Sequence, residues 1–150
     1  MSAGAHGREG RSPTPALTGV LETALYVRDL DASEAFWGGL LGARTLYADA
    51  RMRALDVAGR HVLLLFLQGA SNQENPSPGG SIPAHDGTGR LHFAFAIPKE
   101  SLDAWEQRLA ERGVTVAARV YPPRGGTSLY FRDPDGHLAE LATPGLWETY

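Results

Sequence analysis

Three positions carry side chains that could act together: Glu22 in ETALYV, His92 in HFAFAI and Glu140 in LAELA. Each stands on an alternating, strand-like run, and each is followed two residues later by an alanine: Ala24, Ala94 and Ala142. Residues two apart share one face of a strand. The opposite faces carry Leu21, Thr23, Leu25 and Val27 in the first run and Leu91, Phe93, Phe95 and Ile97 in the second, which suit packing against a helix. A metal-ligand side chain beside a small neighbour leaves a space with a donor at its rim. One imidazole and two carboxylates would hold a divalent ion and leave positions open for two substrate oxygens. Two anionic oxygens favour harder ions such as Mn(II), Mg(II) or Fe(II), with Zn(II) and Ni(II) also compatible.

Taken singly, these residues have simpler explanations. A glutamate at a strand start is usually solvated, and a lone strand histidine is usually a hydrogen-bonded structural residue. His61 and His137 read in that plainer way, as a strand-start residue and a turn or surface residue. His6 and His85 fall in loops and receive no role, and Trp37 reads as packing. What lifts Glu22 and His92 above this background is that they occupy equivalent places in a repeat.

The repeat has a period of seventy residues, from Glu22 to His92. Each half opens with a strand, continues into an amphipathic helix, stops at a glycine and resumes with three strands. In the first helix Asp31 is the expected N-cap, with Glu34 three residues on as a capping box. Ala32, Ala35, Phe36, Gly39 and Leu40 make its expected buried stripe, and Gly42 its stop. In the second helix Leu102, Trp105 and Leu109 form the stripe, Arg108 and Arg112 suit the C-terminal end, and Gly113 stops it. Further strands are expected at Ala43–Ala48, Met52–Val57 and His61–Gln68, and at Thr115–Val120, Thr127–Arg132 and Leu138–Thr143. Asp-Pro-Asp-Gly, before His137, is turn chemistry that returns the chain to the strand of Glu140.

The organisation expected is a disordered leader at 1–18, a βαβββ module at 19–68, a mobile connector at 69–89 that shields the site, a second module at 90–145 and a tail at 146–150. At 150 residues with a formal charge of −3 and no Lys/Arg cluster, the chain offers nothing to a nucleic acid. It contains no cysteine, so disulfides, thiolate nucleophiles and cysteine metal sites are excluded. No apolar run approaches the length of a membrane span, and the expected location is the cytoplasm.

With LETALYVRDLDASEAFWGGLLGA, GRLHFAFAI and SLYFRDPDGHLAEL, the chain resembles the vicinal oxygen chelate superfamily: glyoxalases, bleomycin-resistance proteins, extradiol dioxygenases, epimerases and fosfomycin-resistance transferases. The resemblance covers about residues 20–145. It implies an α+β fold of two βαβββ modules whose curled sheets surround a cavity. It also implies a divalent metal that chelates vicinal oxygens of a small-molecule substrate. Carried over by position, the metal ligands are Glu22, His92 and Glu140. The first is commonly histidine in the family. A fourth ligand of glyoxalases would fall on Leu63 or Leu64, and a hydroxyl residue of fosfomycin-type transferases on Ala24. Ser128 and Tyr130 match inward positions of polar, catalytic contacts. Arg119 and Arg124 are candidates for an anionic substrate group, against the alternative of solvated loop residues. Small members of the family usually pair modules across a two-fold axis, which implies a homodimer, with Leu146 and Trp147 as interface candidates. The expectation is a metal-dependent lyase, dioxygenase or transferase, set against a metal-free, drug-sequestering protein of the bleomycin-resistance kind.

Overall fold

The computed structural model describes residues 12–150; the earlier part of the expected leader, with His6, lies outside the described residues. The first half contains β1 (Glu22–Val27), α1 (Leu30–Leu41), β2 (Thr45–Ala48), β3 (Met52–Val57) and β4 (His61–Leu67). A short hairpin follows, β5 (Asn75–Ser77) and β6 (Gly80–Ile82). The second half contains β7 (His92–Ala96), α2 (Leu102–Glu111), β8 (Ala118–Val120), β9 (Ser128–Arg132) and β10 (Leu138–Ala142). Two four-stranded sheets result, in the orders β1-β4-β3-β2 and β7-β10-β9-β8. Each opening strand pairs in parallel with the last strand of its own half, Glu22 opposite Val62 and His92 opposite Leu138, and the remaining pairs are antiparallel. The βαβββ plan and the seventy-residue repeat are therefore present: β1 and β7 begin at Glu22 and His92.

The first helix departs from expectation at its start. Its N-cap is Asp29, whose Oδ1 accepts from the Ala32 amide at 3.0 Å, rather than Asp31. Asp31 and Glu34 instead grip Arg53 of β3, at 2.8 and 2.7 Å. The buried face is Leu30, Ser33, Trp37 and Leu40. Ala32 and Ala35 are exposed. Burying one tryptophan removes far more apolar area from water than burying two alanines, so Trp37 sets the helix rotation. Gly42 ends the helix with φ 64°, as its place predicts.

Both halves share a single core. Leu25, Val27, Leu63 and Leu65 of the first sheet belong to one buried cluster with Leu129, Phe131 and Leu141 of the second. Trp37 stands at the junction, its ring centroid 5.4, 5.9 and 6.0 Å from those of Phe93, Phe95 and Phe131. Polar ties reinforce it. Arg108 of α2 donates to the carbonyls of Gly39 and Leu40 at the end of α1, satisfying groups the helix leaves open. His137, expected at the surface, is 1% exposed. Its Nδ1 accepts from the Leu91 amide at 2.9 Å, so Nε2 carries the proton and donates to the Tyr26 carbonyl, also at 2.9 Å. It is buried because the turn bends inward. Asp133 Oδ1 accepts from the amides of Asp135 and His137, and its Oδ2 faces the Trp37 indole at 3.4 Å. Burial pushes the Asp133 carboxyl above the ordinary aspartate value.

The connector between the halves is mostly exposed, in keeping with its lack of an apolar face, but it is tied to the first half at a few points. Arg51 donates to Ser71 Oγ at 2.8 Å, the His85 amide donates to the Ser71 carbonyl at 2.8 Å, and the Gly69 amide donates to Asp86. At the other end of the chain, Tyr150 folds back so that its one hydroxyl proton is shared between the carbonyls of Ala142, at 2.9 Å, and Ile97, at 3.1 Å. No helix among the described residues is long and apolar enough to cross a membrane.

Candidate metal and substrate site

Because the core occupies one side of each sheet, the residues of opposite parity face outward. On the second sheet this outward face collects four of the expected site residues. Glu140 lies opposite Tyr130, Ala142 opposite Ser128, and Leu138 opposite His92. Glu140 is 4% exposed, and its Oε2 stands 3.5 Å from His92 Nε2. The other imidazole nitrogen, Nδ1, lies 2.9 Å from the Leu138 carbonyl, an oxygen that can only accept. Nδ1 therefore donates to that carbonyl, and Nε2 is the nitrogen turned toward the carboxylate. A carbonyl that holds the Nδ1 proton and steadies the ring leaves Nε2 as the nitrogen that would ligate a metal.

Two buried oxygens on this face lack partners: Glu140 Oε1 and Ser128 Oγ. Buried polar atoms are ordinarily hydrogen-bonded, and a buried carboxylate without a cation is costly. The donor set of an imidazole nitrogen and a carboxylate fits a divalent ion. Tyr130 stands beside them, its ring centroid 6.1 Å from that of His92. Burial first, and then the nearby Glu140 carboxylate, raise its hydroxyl above the ordinary tyrosine value, so it remains a donor at neutral pH.

Glu22 is on the outward face of the other sheet, exposed at the start of β1. Within one chain it does not join His92 and Glu140: among the described residues no three His, Asp or Glu side chains come together to hold a metal. Leu64, opposite Ala24, and Leu63, in the core, offer no fourth donor. Arg119 does not reach the site. It pairs with Leu129, a core position, so it points to the helix side, where it binds Glu106 and lies over the Tyr121 ring. Arg124 is exposed in the loop before β9. Two clefts of about 430 Å³ lie elsewhere, one beside Lys99, Asp103 and Pro144 and the other beside Phe36 and Val114.

One cluster escaped the sequence reading. Tyr26 shares the outward face with Glu22 and Ala24, and its hydroxyl lies 2.8 Å from His85 Nδ1. The His85 ring packs edge-on against Phe66, at 4.6 Å between centroids, and Arg51 lies over the same phenyl ring at 5.5 Å. The alternation in β1 placed Tyr26 on this face; nothing in the connector marked His85 as its partner.

The chain was compared with known proteins. A family model described as Glyoxalase/Bleomycin resistance protein/Dioxygenase superfamily matches residues 19–141. A metallothiol transferase FosB of Bacillus licheniformis is 31% identical over 88% of this chain and 79% of its own length. A glutathione transferase FosA of Serratia marcescens is 35% identical over 81% of this chain and 78% of its own. Among solved structures, a lactoylglutathione lyase from Agrobacterium tumefaciens superposes with a TM-score of 0.81 at 32% identity, covering 89% of this chain and 99% of that one.

Proposed function

Since the chain belongs to the glyoxalase/bleomycin resistance protein/dioxygenase superfamily, we propose that it is a divalent-metal-dependent enzyme acting as a homodimer on a small molecule with neighbouring oxygens. The metal would be held by His92 and Glu140 of one copy and Glu22 of the other. The observation that carries this reading is His92 Nε2, its ring steadied through Nδ1, turned toward a buried carboxylate with an unpartnered oxygen. A second copy is called for because the outward faces of the two sheets carry the ligands separately. A two-fold dimer that brings unlike sheets together would build two equivalent sites.

Bound there, the ion would act as a Lewis acid on two adjacent substrate oxygens. The chain's own groups orient the substrate. Tyr130, stacked beside His92 and opposite Glu140, would offer its hydroxyl to a substrate oxygen. Ser128 Oγ, without a protein partner, is available to do the same. Ala94, Ala96 and Ala142 keep the floor shallow enough for a ligand to lie over it. With three protein ligands and leucines where a fourth would stand, the transferase and dioxygenase branches fit better than a four-ligand glyoxalase. The identity with FosA and FosB favours group transfer between the two.

Titration of the full-length protein with Mn(II), Mg(II), Zn(II) and Ni(II) tests this. Glu140→Ala should weaken every ion by about tenfold or more, since loss of even an outer support to a ligand costs that much. Glu22→His should keep a site but move its preference from Mn(II) toward Zn(II) and Ni(II). A wild type that binds no ion, or a Glu140→Ala variant that binds as well as wild type, rejects the metal site and leaves metal-free sequestration.

A further inference from the structure

We propose that His85 is the end-stop of the substrate trough, and that it restricts the enzyme to molecules with a short apolar tail behind their chelating oxygens. The proposal rests on the metal reading above and extends it to a residue and segment outside the ligand set. The outward face of the first sheet is a graded floor. The rung after Glu22 is Ala24–Leu64–Ala54, small or aliphatic across three strands. The next rung is Tyr26–Phe66–Met52, and there the floor becomes a wall. The His85 imidazole stands on that rung, 4.6 Å from Phe66 and 5.9 Å from Tyr26 between centroids, hydrogen-bonded to the Tyr26 hydroxyl. From Glu22 to this wall is four residues of strand, about 13 Å. A ligand anchored at the metal has room behind it for one ring or a few carbons.

The wall is fixed in place by the connector that supplies it. Ser71 is 3% exposed and links Arg51, through its hydroxyl, to the His85 amide, through its carbonyl. Arg51 forms no ion pair with a carboxylate among the described residues. Its guanidinium donates to Ser71 and to the Met52 sulfur and lies over the face of Phe66. Gly87 lets the backbone close down on the Tyr26 ring, because a Cβ there would overlap ring carbons. The connector thus has one glycine and one imidazole applied to the same tyrosine, which is more precise than shielding requires.

The test uses catechol and 4-alkylcatechols as metal-chelating probes, with binding to the manganese-loaded full-length dimer measured by calorimetry. Wild type should bind catechol and 4-methylcatechol alike and lose about tenfold or more with 4-butylcatechol, the scale on which an apolar pocket rejects excess methylenes. His85→Ala should reduce that loss to about twofold, because the space behind the wall is opened to an apolar tail. Gly87→Ala, which removes no side chain but pushes the connector off Tyr26, should act in the same direction, and His85→Phe should keep the wild-type profile. If the manganese-loaded wild type binds the short catechols and both alanine variants keep its chain-length profile, the end-stop is wrong while the metal site stands. No catechol binding to a manganese-loaded protein also overturns the end-stop. Failure to bind manganese at all overturns the metal reading and this proposal with it.

Discussion

Ala58 sits in the left-handed region at φ 55°, in the tight turn between β3 and β4, where the Gly59 amide is held by Asp56 at 2.8 Å. A Cβ costs about 1 kcal/mol there, and glycine, which has none, avoids it. Ala58→Gly should therefore raise stability by up to about that amount in urea unfolding without changing metal affinity. Ser33 makes the converse case: its hydroxyl is buried on the core side of α1 with no partner. Ser33→Ala should stabilise by about 1 kcal/mol, since an unsatisfied buried group is removed and a better helix former installed. The ligand-type residues were legible in the sequence because alternation and the repeat marked them together. His137 and His85 were not. Each bonds to Tyr26, more than fifty residues away in sequence, and a lone histidine in a turn or loop gives no sign of what it will meet.

The elements follow from local chemistry to within a few residues at their ends. Period-two runs made the strands, and glycines stopped the helices at Gly42 and Gly113. The rotation of α1 was not legible, because it depends on Trp37 meeting phenylalanines of the other sheet. The anchoring of the connector was missed for the same reason: Ser71 and His85, on either side of its hairpin, are tied to Arg51 and Tyr26, outside the segment. The last element, the tail ending at Tyr150, is held by one hydroxyl proton shared between the carbonyls of Ala142 and Ile97. Tyr150→Phe should cost about 1 kcal/mol for that one shared bond. Burial raises this hydroxyl above the ordinary tyrosine value. For an acid whose folded pKa is raised, the contribution is complete below the unfolded value, about 10, and is lost as pH rises through the folded one. Wild type should thus lose stability above about pH 10, and in Tyr150→Phe this part of the alkaline loss should be absent from the unfolding curves.

At the scale of the whole molecule, a shared core leaves each half dependent on the other and turns both ligand-bearing faces outward. If sites form between copies, two damaged chains can repair one another. A mixed dimer of Glu22→Ala and Glu140→Ala chains places both lesions in one site and leaves the second intact. Co-expression of the two should restore one tight metal site per mixed dimer, read as calorimetric stoichiometry, whereas each variant alone has none. A mixture as inert as its parents would mean that each chain completes its own site. The sheet order has one more consequence, for handling and for the cell. β1 and β7 each lie at the border of a sheet, one flank paired with β4 or β10 and the other without a strand. Such a border has backbone amides and carbonyls ready to recruit any extended chain. If the proposed dimer covers these borders, the lone protomer is the species most prone to aggregate. Turbidity after refolding should then fall as the protein is concentrated, and turbidity that only rises with concentration would mean that the borders stay open.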